Sequence, residues 1–223
     1  LEDAVAGAAG ELRGLLRVAG PSVFGARYIG PWLHELQAQY PQLEIDLVLT
    51  DRPVDLVEQN IDVAVRIGRL EDSSLIGVRL GTMLTVVVAA PGYISRYGTA
   101  KTPEDVQRHH FVLHAGQLQT AKLTLTGPKG RTVTIPCRSR FTVSSILGVR
   151  EAVMAGAGLN AGPLWLYANA IDRGELIRVL PAWDPPRFPV HALMLPGRYR
   201  PAKTNSTLAL LRVKVPKLPG VIG

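Results

Sequence analysis

The 223-residue chain has one cysteine, Cys137, which excludes an internal disulfide and any metal site built from several cysteines. It also lacks an apolar run near the roughly 20 residues that a membrane-spanning helix needs, so we expect no membrane segment. A charged start followed by an apolar stretch, as in a secretory signal, is missing as well. These absences favour a cytoplasmic protein, with a mature exported protein as the alternative. Because the first residue is Leu1 rather than Met, we expect the chain to be a piece of something longer.

The composition is that of an ordinary globular protein, with 47% hydrophobic and 19% charged residues. Lys plus Arg is 25 and Asp plus Glu is 18, which gives 25 − 18 = +7. A positive balance is compatible with nucleic acid or acidic ligands, but it also serves solubility, and we prefer solubility here. The length is enough for one large domain or for two small lobes with cores of their own.

The first residues have a weak coiled-coil pattern. Leu1, Val5, Ala8 and Leu12 are spaced by four, three and four residues. The pattern predicts that residues 1–12 are the end of a longer linker helix.

The first eighty-odd residues alternate between strand and helix patterns, which predicts a parallel sheet with right-handed crossovers. In such sheets ligands lie beyond the carboxyl ends of the strands. The residues that this rule places there are Ser22, Thr50, Arg66, Ile67 and Gly68.

A second candidate region begins at the end of a later strand, near Val143 and Ser144. Ser144 or Ser145 can cap the helix that starts at Ile146, and the free amides of a helix start suit a small anion. His114 ends another predicted strand and is a further candidate for ligand contact.

Two local expectations concern less regular segments. Residues Val54 to Gln59 follow Arg52-Pro53 and are predicted to form a short helix. The tail from Val215 to Gly223 shows no periodicity and is predicted to be loose.

Several strings resemble the effector-binding domain of LysR-type transcriptional regulators. The resemblance covers about residues 1 to 200 and is carried by these segments: Arg17-Val18-Ala19 to Ile45; Asp55-Leu56-Val57; Asp62 to Gly68; Asp72-Ser73-Ser74-Leu75; Ala89 to Tyr93; and Ala152 to Leu159. The signature from Asp55 to Gly68, followed by Asp72 to Leu75, is the most specific of them.

The resemblance implies an α/β fold of the type 2 periplasmic-binding-protein class, in which two lobes are joined by two crossover strands with a ligand cleft between. Lobe I would comprise residues 13–84 plus 190–214, and lobe II residues 85–189. It also implies a homodimer, a tetramer when full length, and DNA binding through an N-terminal winged helix-turn-helix that this chain lacks. We expect no cofactor, no metal and no membrane partner.

The resulting hypothesis is a sensor of a small carboxylate or similar anion that bridges Ser22 and Ser144 across the cleft. Each serine could instead be a plain helix cap. Arg66 could grip a carboxylate or pair with Asp62 or Asp51, Thr50 could serve a turn, and His114 could be structural.

Two other classes of protein compete with this hypothesis. A periplasmic solute-binding protein of a transport system would share the fold but not the coiled-coil stub. A hydrolase or transferase would need a nucleophile and base, or a metal set, and none stands at a recognisable spacing. We therefore expect no enzyme.

Overall fold

The computed structural model describes residues 12–70, 74–115, 122–197 and 200–223. The predicted linker helix at residues 1–12 falls outside this range, apart from Leu12, and so do Asp72 and Ser73 of the family-like string. The chain forms two compact units, and each is described by itself. Unit 1 runs to Thr82 and resumes at Phe188, whereas unit 2 is Met83–Arg187.

The strands of unit 1 are β1 Gly14–Gly20, β2 Leu43–Leu49, β3 Val63–Ile67, β4 Ile76–Met83, β12 Phe188–Met194 and β13 Val221–Ile222. They form one six-stranded sheet with the order β13-β4-β12-β3-β1-β2. Strand β1 is parallel to both β2 and β3, as the strand-helix alternation predicts, while β12 runs antiparallel to β3. Leu16, Val18, Val63 and Val65 are fully buried, so the central strands supply the apolar core.

The helices of unit 1 follow β1 and β12. Helix α1 (Ser22–Phe24) passes through a π-helical turn (Gly25–Ile29) into α2 (Gly30–Gln39). Pro31 is the second residue of α2 and has no N–H for a helical hydrogen bond, and the π-helical turn lies directly before this interruption. Helix α6 (Ala202–Lys214) follows β12, and Lys203 of this helix forms an ion pair with Asp62 at 2.8 Å.

Unit 2 has a three-stranded sheet of order β10-β5-β11 and two further strand pairs, β6 with β9 and β7 with β8. The β7–β8 hairpin turns through Gly127 to Gly130, where the Gly-Pro-Lys-Gly composition predicts a turn. Strand β6 is tied to the segment before β10 through Phe111 and Leu159. The strands are β5 Thr85–Ala89, β6 His110–His114, β7 Lys122–Thr126, β8 Thr132–Pro136, β9 Arg138–Val143, β10 Asn160–Pro163 and β11 Ile177–Val179.

Three α-helices pack on these strands: α3 Pro91–Tyr97, α4 Ile146–Met154 and α5 Leu164–Asp172. A 3-10 helix, Glu104–Arg108, leads into β6. Leu125, Ile135 and Leu159 are buried in the core of this unit, with Cys137 packed against them. No helix in the described ranges is long and apolar enough to cross a membrane.

Two local predictions are wrong. Residues 56–60 form turns instead of a helix. The Asp55 carboxylate caps the segment by accepting from the Val57 and Glu58 amides at 2.8 and 3.0 Å. One helical bond follows, from the Gln59 amide to the Asp55 carbonyl at 3.2 Å, and Asn60, with φ of 52°, then ends the segment. The tail is ordered: a 3-10 helix, Val215–Lys217, leads into β13, which forms the edge of the unit 1 sheet beside β4.

Candidate functional site

The predicted residues of unit 1 gather at the carboxyl ends of its three parallel strands. Ser22 follows β1 and begins α1, Thr50 follows β2, and Arg66 is the second-to-last residue of β3. The Thr50 amide donates to the Gly20 carbonyl at 2.9 Å, which joins the ends of β2 and β1. Each of the three side chains is half-buried, so each remains accessible at this edge of the sheet.

Asp51 is the residue of this edge that the sequence did not single out as a site residue. Its Oδ1 accepts a hydrogen bond from the Ser22 amide at 3.0 Å. The helix start therefore already has an anionic partner from the turn after β2. A carboxylate one residue past Thr50, opposite a predicted helix start, is the signal that could have identified it.

Arg66 is directed at the same turn. Its Nη2 donates to the Arg52 carbonyl at 2.9 Å, and the Arg52 amide donates to Thr50 Oγ1 at 3.1 Å. Burial lowers the pKa of the Arg66 guanidinium, and the nearby Asp51 charge partly offsets that effect. Thr50 thus serves the turn, which is one of the two roles considered for it.

Asp62, the other partner considered for Arg66, is engaged elsewhere. Its carboxylate accepts from the Arg17 amide at 2.9 Å and from Lys203 Nζ at 2.8 Å. Of the two acidic partners proposed from the sequence, Asp51 is therefore the one whose charge acts on Arg66.

Ile67 and Gly68 contribute backbone to this edge. Ile67 is paired with Val190 of β12, and the Gly68 amide donates to the Pro189 carbonyl at 2.9 Å. Gly68 has φ of 119°, a conformation that a residue with a side chain rarely adopts. These two residues shape the end of β3 and the exit of the chain from it.

The predicted residues of unit 2 also meet. His114 ends β6 and is paired with Val143, the last residue of the parallel strand β9. His114 Nε2 lies 3.1 Å from the Ser144 carbonyl oxygen, to which it donates when that nitrogen carries the proton. The structure thus joins His114, Val143 and Ser144 at one strand end.

The cap of α4 is Ser145 and not Ser144. The Ser145 Oγ accepts from the Gly148 amide at 3.5 Å, while Ser144 is exposed one residue earlier. The capping role considered for Ser144 therefore belongs to its neighbour. Two large apolar side chains flank this turn in an exposed state, Phe141 at 49% and Leu147 at 47%.

Charge is distributed unevenly along the two sequence segments that contain these residues. Residues 106–150, which contain His114, Val143 and Ser144, include no Asp or Glu. Their basic residues are Arg108, Lys122, Lys129, Arg131, Arg138, Arg140 and Arg150. Residues 35–62, which contain Thr50, have a single basic residue, Arg52. The acidic residues there are Glu35, Glu44, Asp46, Asp51, Asp55, Glu58 and Asp62.

Comparison with known proteins gives a consistent result. A family model described as the LysR substrate binding domain matches residues 9–215. The HTH-type transcriptional regulator PtxR of Pseudomonas aeruginosa is 32% identical over 210 residues, which are 94% of this chain and 67% of that protein. The HTH-type transcriptional activator AaeR of Escherichia coli K12 is 32% identical over 180 residues, or 81% of this chain and 58% of that protein. The chain thus spans about two thirds or less of these relatives.

Solved structures agree on the fold. One of them is the full-length virulence activator AphB of Vibrio cholerae, a member of the LTTR protein family. It superposes on this chain with a TM-score of 0.79 at 26% identity, and the match covers 94% of this chain and 71% of AphB. The effector domain of the transcriptional regulator AmpR from Pseudomonas aeruginosa superposes with a TM-score of 0.70 at 18% identity, and the match covers 93% of this chain and 98% of that domain. At this identity the likeness is evidence for the fold only. The predicted fold class, that of the type 2 periplasmic-binding proteins, is confirmed. The transport alternative has no support among these relatives.

Proposed function

The chain belongs to the LysR-type transcriptional regulators, as their substrate binding domain, and we propose that it senses a small anionic effector for a DNA-binding regulator. The observation that carries this proposal is the family match over residues 9–215. The grouping of the predicted site residues at one strand end in each unit supports it. Regulators of this family bind small-molecule effectors and DNA, and they form oligomers.

The effector that we propose is a carboxylate or a similar anion. Its acceptor oxygens would meet the Ser144 hydroxyl and the start of α4, in a stretch of 45 residues without a carboxylate side chain. The exposed Phe141 and Leu147 would cover an apolar body attached to that anion. Thr50, Arg66, Ile67 and Gly68 would form the other half of the site, together with Ser22.

Regulation would follow from closure of two lobes on this effector. In the proposed division, lobe I comprises residues 13–84 with 190–214, and lobe II residues 85–189. The ligand shifts the equilibrium only by the difference between its affinities for the open and closed arrangements. Closure would alter how two protomers present their DNA-binding domains, which would be N-terminal winged helix-turn-helix domains. The protein would act in the cytoplasm, as a homodimer or, when full length, as a tetramer.

Thermal unfolding with a panel of small aliphatic and aromatic carboxylates tests the proposal. A cognate effector present at about 100 times its Kd stabilises the folded state by about 2.7 kcal/mol, which raises Tm measurably. In Ser144→Ala the same carboxylate should raise Tm much less, because one hydroxyl donor to the anion is lost.

Ser95→Ala is the matched control, because Ser95 is exposed in α3 of the same unit. It should leave the ligand-induced rise in Tm unchanged. Equal stabilisation of wild type and Ser144→Ala by the cognate carboxylate would remove Ser144 from the site. If only neutral or cationic compounds stabilise the chain, the proposal of an anionic effector is wrong.

A further inference from the structure

We propose that unit 1 contains a second binding site, for a short-chain carboxylate, at the start of helix α6. The site is a cavity of about 170 Å³ between Asp62, the segment that follows β12 and the first turn of α6. It lies at the amino end of β3, whereas Arg66 and Ile67 lie at the carboxyl end of that strand. The cavity therefore includes none of the residues of the effector site proposed above, and the inference does not depend on that site.

Helix α6 begins without a cap. The residue before it, Pro201, provides no capping hydrogen bond, and the first turn contains no acidic residue. The amides of Ala202 and Lys203 have no partner within the helix, because the first amides of a helix lack intrahelical acceptors. Their partial positive charge favours an anion at this end. Many helices begin in this way, so this feature alone does not identify a ligand site.

Thr204 provides independent evidence for a ligand. It lines the cavity and is only 4% exposed, yet its hydroxyl forms no hydrogen bond with any residue in the described ranges. Thr207, one turn later, differs, because its Oγ1 donates to the Lys203 carbonyl at 2.8 Å. A buried hydroxyl without a partner is unfavourable, and an acceptor oxygen of a ligand in the cavity would satisfy it.

Arg200 supplies the positive charge of the site. It lines the same cavity and is half-buried, and among the residues that the structure describes its guanidinium has no hydrogen bond or ion pair. The acidic residue of the cavity, Asp62, already accepts from Lys203 Nζ at 2.8 Å and from the Arg17 amide at 2.9 Å. Since Lys203 balances Asp62, the charge of Arg200 remains for a ligand. A guanidinium can donate two parallel hydrogen bonds to one carboxylate.

The size and the walls of the cavity limit the rest of the ligand. Ile61, Met194 and Leu195 contribute aliphatic surface to the lining. A water molecule takes up about 30 Å³, so 170 Å³ accommodates about five or six non-hydrogen atoms, as in propionate or butyrate. A short carboxylate thus fits better than inorganic phosphate, which has no apolar group to place against these side chains.

Titration of the ¹⁵N-labelled protein with propionate tests the site. The backbone amide signals of Ala202, Lys203 and Thr204 should shift and saturate. Propylammonium, which has the same chain length and the opposite charge, should leave them unchanged, and inorganic phosphate should bind more weakly. Signals that ignore propionate, or that follow propylammonium equally, would overturn the proposal. Phosphate binding as tight as that of propionate would overturn it too, because the apolar walls would then play no part.

Two substitutions test the side chains. Arg200→Gln should weaken propionate binding at these signals about tenfold, because the charge and the paired donors are lost. Thr204→Val, which replaces the hydroxyl by a methyl group, should weaken it about fivefold. The matched controls lie on the same helix: Arg212→Gln removes an exposed charge, and Thr207→Val removes a hydroxyl that has a partner inside the helix. Neither control should change the Kd by more than about twofold.

Thermal unfolding without ligand separates a binding role of Thr204 from a structural one. Because its hydroxyl has no partner in the described ranges, Thr204→Val should retain or exceed the wild-type Tm. A lower Tm with an unchanged Kd would mean that the hydroxyl serves the fold, and the proposal would fail. An unchanged Kd in Arg200→Gln would also refute it, because the helix start alone would then explain the binding.

Discussion

The Tyr167 hydroxyl donates a hydrogen bond to Asn160 Oδ1 at 2.8 Å inside unit 2, and both side chains are buried. Asn160 Nδ2 in turn donates to the Val112 carbonyl at 2.8 Å. Burial raises the pKa of the Tyr167 phenol, which therefore stays protonated and able to donate. This chain of bonds links helix α5, strand β10 and strand β6, the strand that ends at His114.

Replacing Tyr167 by Phe should lower the free energy of unfolding by about 1–2 kcal/mol, because Asn160 Oδ1 would be left buried without its donor. Urea unfolding followed by tyrosine and tryptophan fluorescence measures the change. Tyr97→Phe is the control, since Tyr97 is 50% exposed in the same unit and should give almost no loss. Equal stabilities of Tyr167→Phe and wild type would show that the bond contributes nothing net.

Stability should fall in mild acid because of His109. Its side chain is 5% exposed, and its Nδ1 has no hydrogen-bond partner among the described residues. Burial lowers the pKa of this imidazole, Asp105 partly offsets the effect, and His110 adds to it. The unfolded chain, with a His pKa of about 6.5, then binds more protons than the folded one as the pH drops below that value.

The free energy of unfolding should therefore decline as the pH falls through about 6.5 and level off below the folded pKa of His109. Urea unfolding of wild type and His109→Gln at pH 8 and pH 5 measures this difference. His109→Gln should lose less stability between the two pH values than wild type. His34→Gln, a change at an exposed histidine of unit 1, serves as the control and should behave like wild type. The same acid loss in His109→Gln would assign the effect to other groups.

Two glycines after α4 should differ sharply in their tolerance of alanine. A Cβ at Gly158 would lie 2.5 Å from the His110 carbonyl oxygen, a backbone atom that cannot move without disturbing β6. Gly156 has φ of 80°, and a Cβ there would make only an ordinary van der Waals contact, with the Tyr93 amide nitrogen at 3.9 Å, so backbone strain alone applies. We expect Gly158→Ala to cost about 3 kcal/mol and Gly156→Ala about 1 kcal/mol.

Thermal and urea unfolding of both variants, with Gly92→Ala in α3 as the control, checks this order. A Cβ at Gly92 meets nothing within 4 Å and φ there is not positive, so that variant should retain wild-type stability. The opposite order for Gly156 and Gly158 would mean that β6 yields to the extra methyl group.

The part of the site that periodicity determines was predictable. Once β1, β2 and β3 are parallel, Ser22, Thr50 and Arg66 must fall at the same edge, because all three stand at strand ends. The hydrogen bond between the Ser22 amide and Asp51 was not predictable in this way. It depends on the path of a two-residue turn after β2, and hydrophobic periodicity contains no information about that path.

The errors have a similar origin. Residues 54–59 begin like a helix at the Asp55 cap, but Asn60 takes a φ of 52° and stops it after one helical bond, a limit that spacing alone does not reveal. Strand β13 is two residues long and is a strand only because it pairs with β4, which lies about 140 positions earlier in the chain. In unit 2, the pairing of His114 with Val143 joins segments that the sequence had identified only as separate strand ends.

Unit 2 is inserted into unit 1, and this has a consequence for synthesis on the ribosome. Strand β12 lies between β3 and β4, yet it is translated only after residue 187. Until then the nascent chain exposes two strand edges with unpaired amides and carbonyls, while the inserted segment already has all its residues. A chain that ends before Phe188 would therefore contain all residues of unit 2 together with an unfinished, aggregation-prone sheet in unit 1.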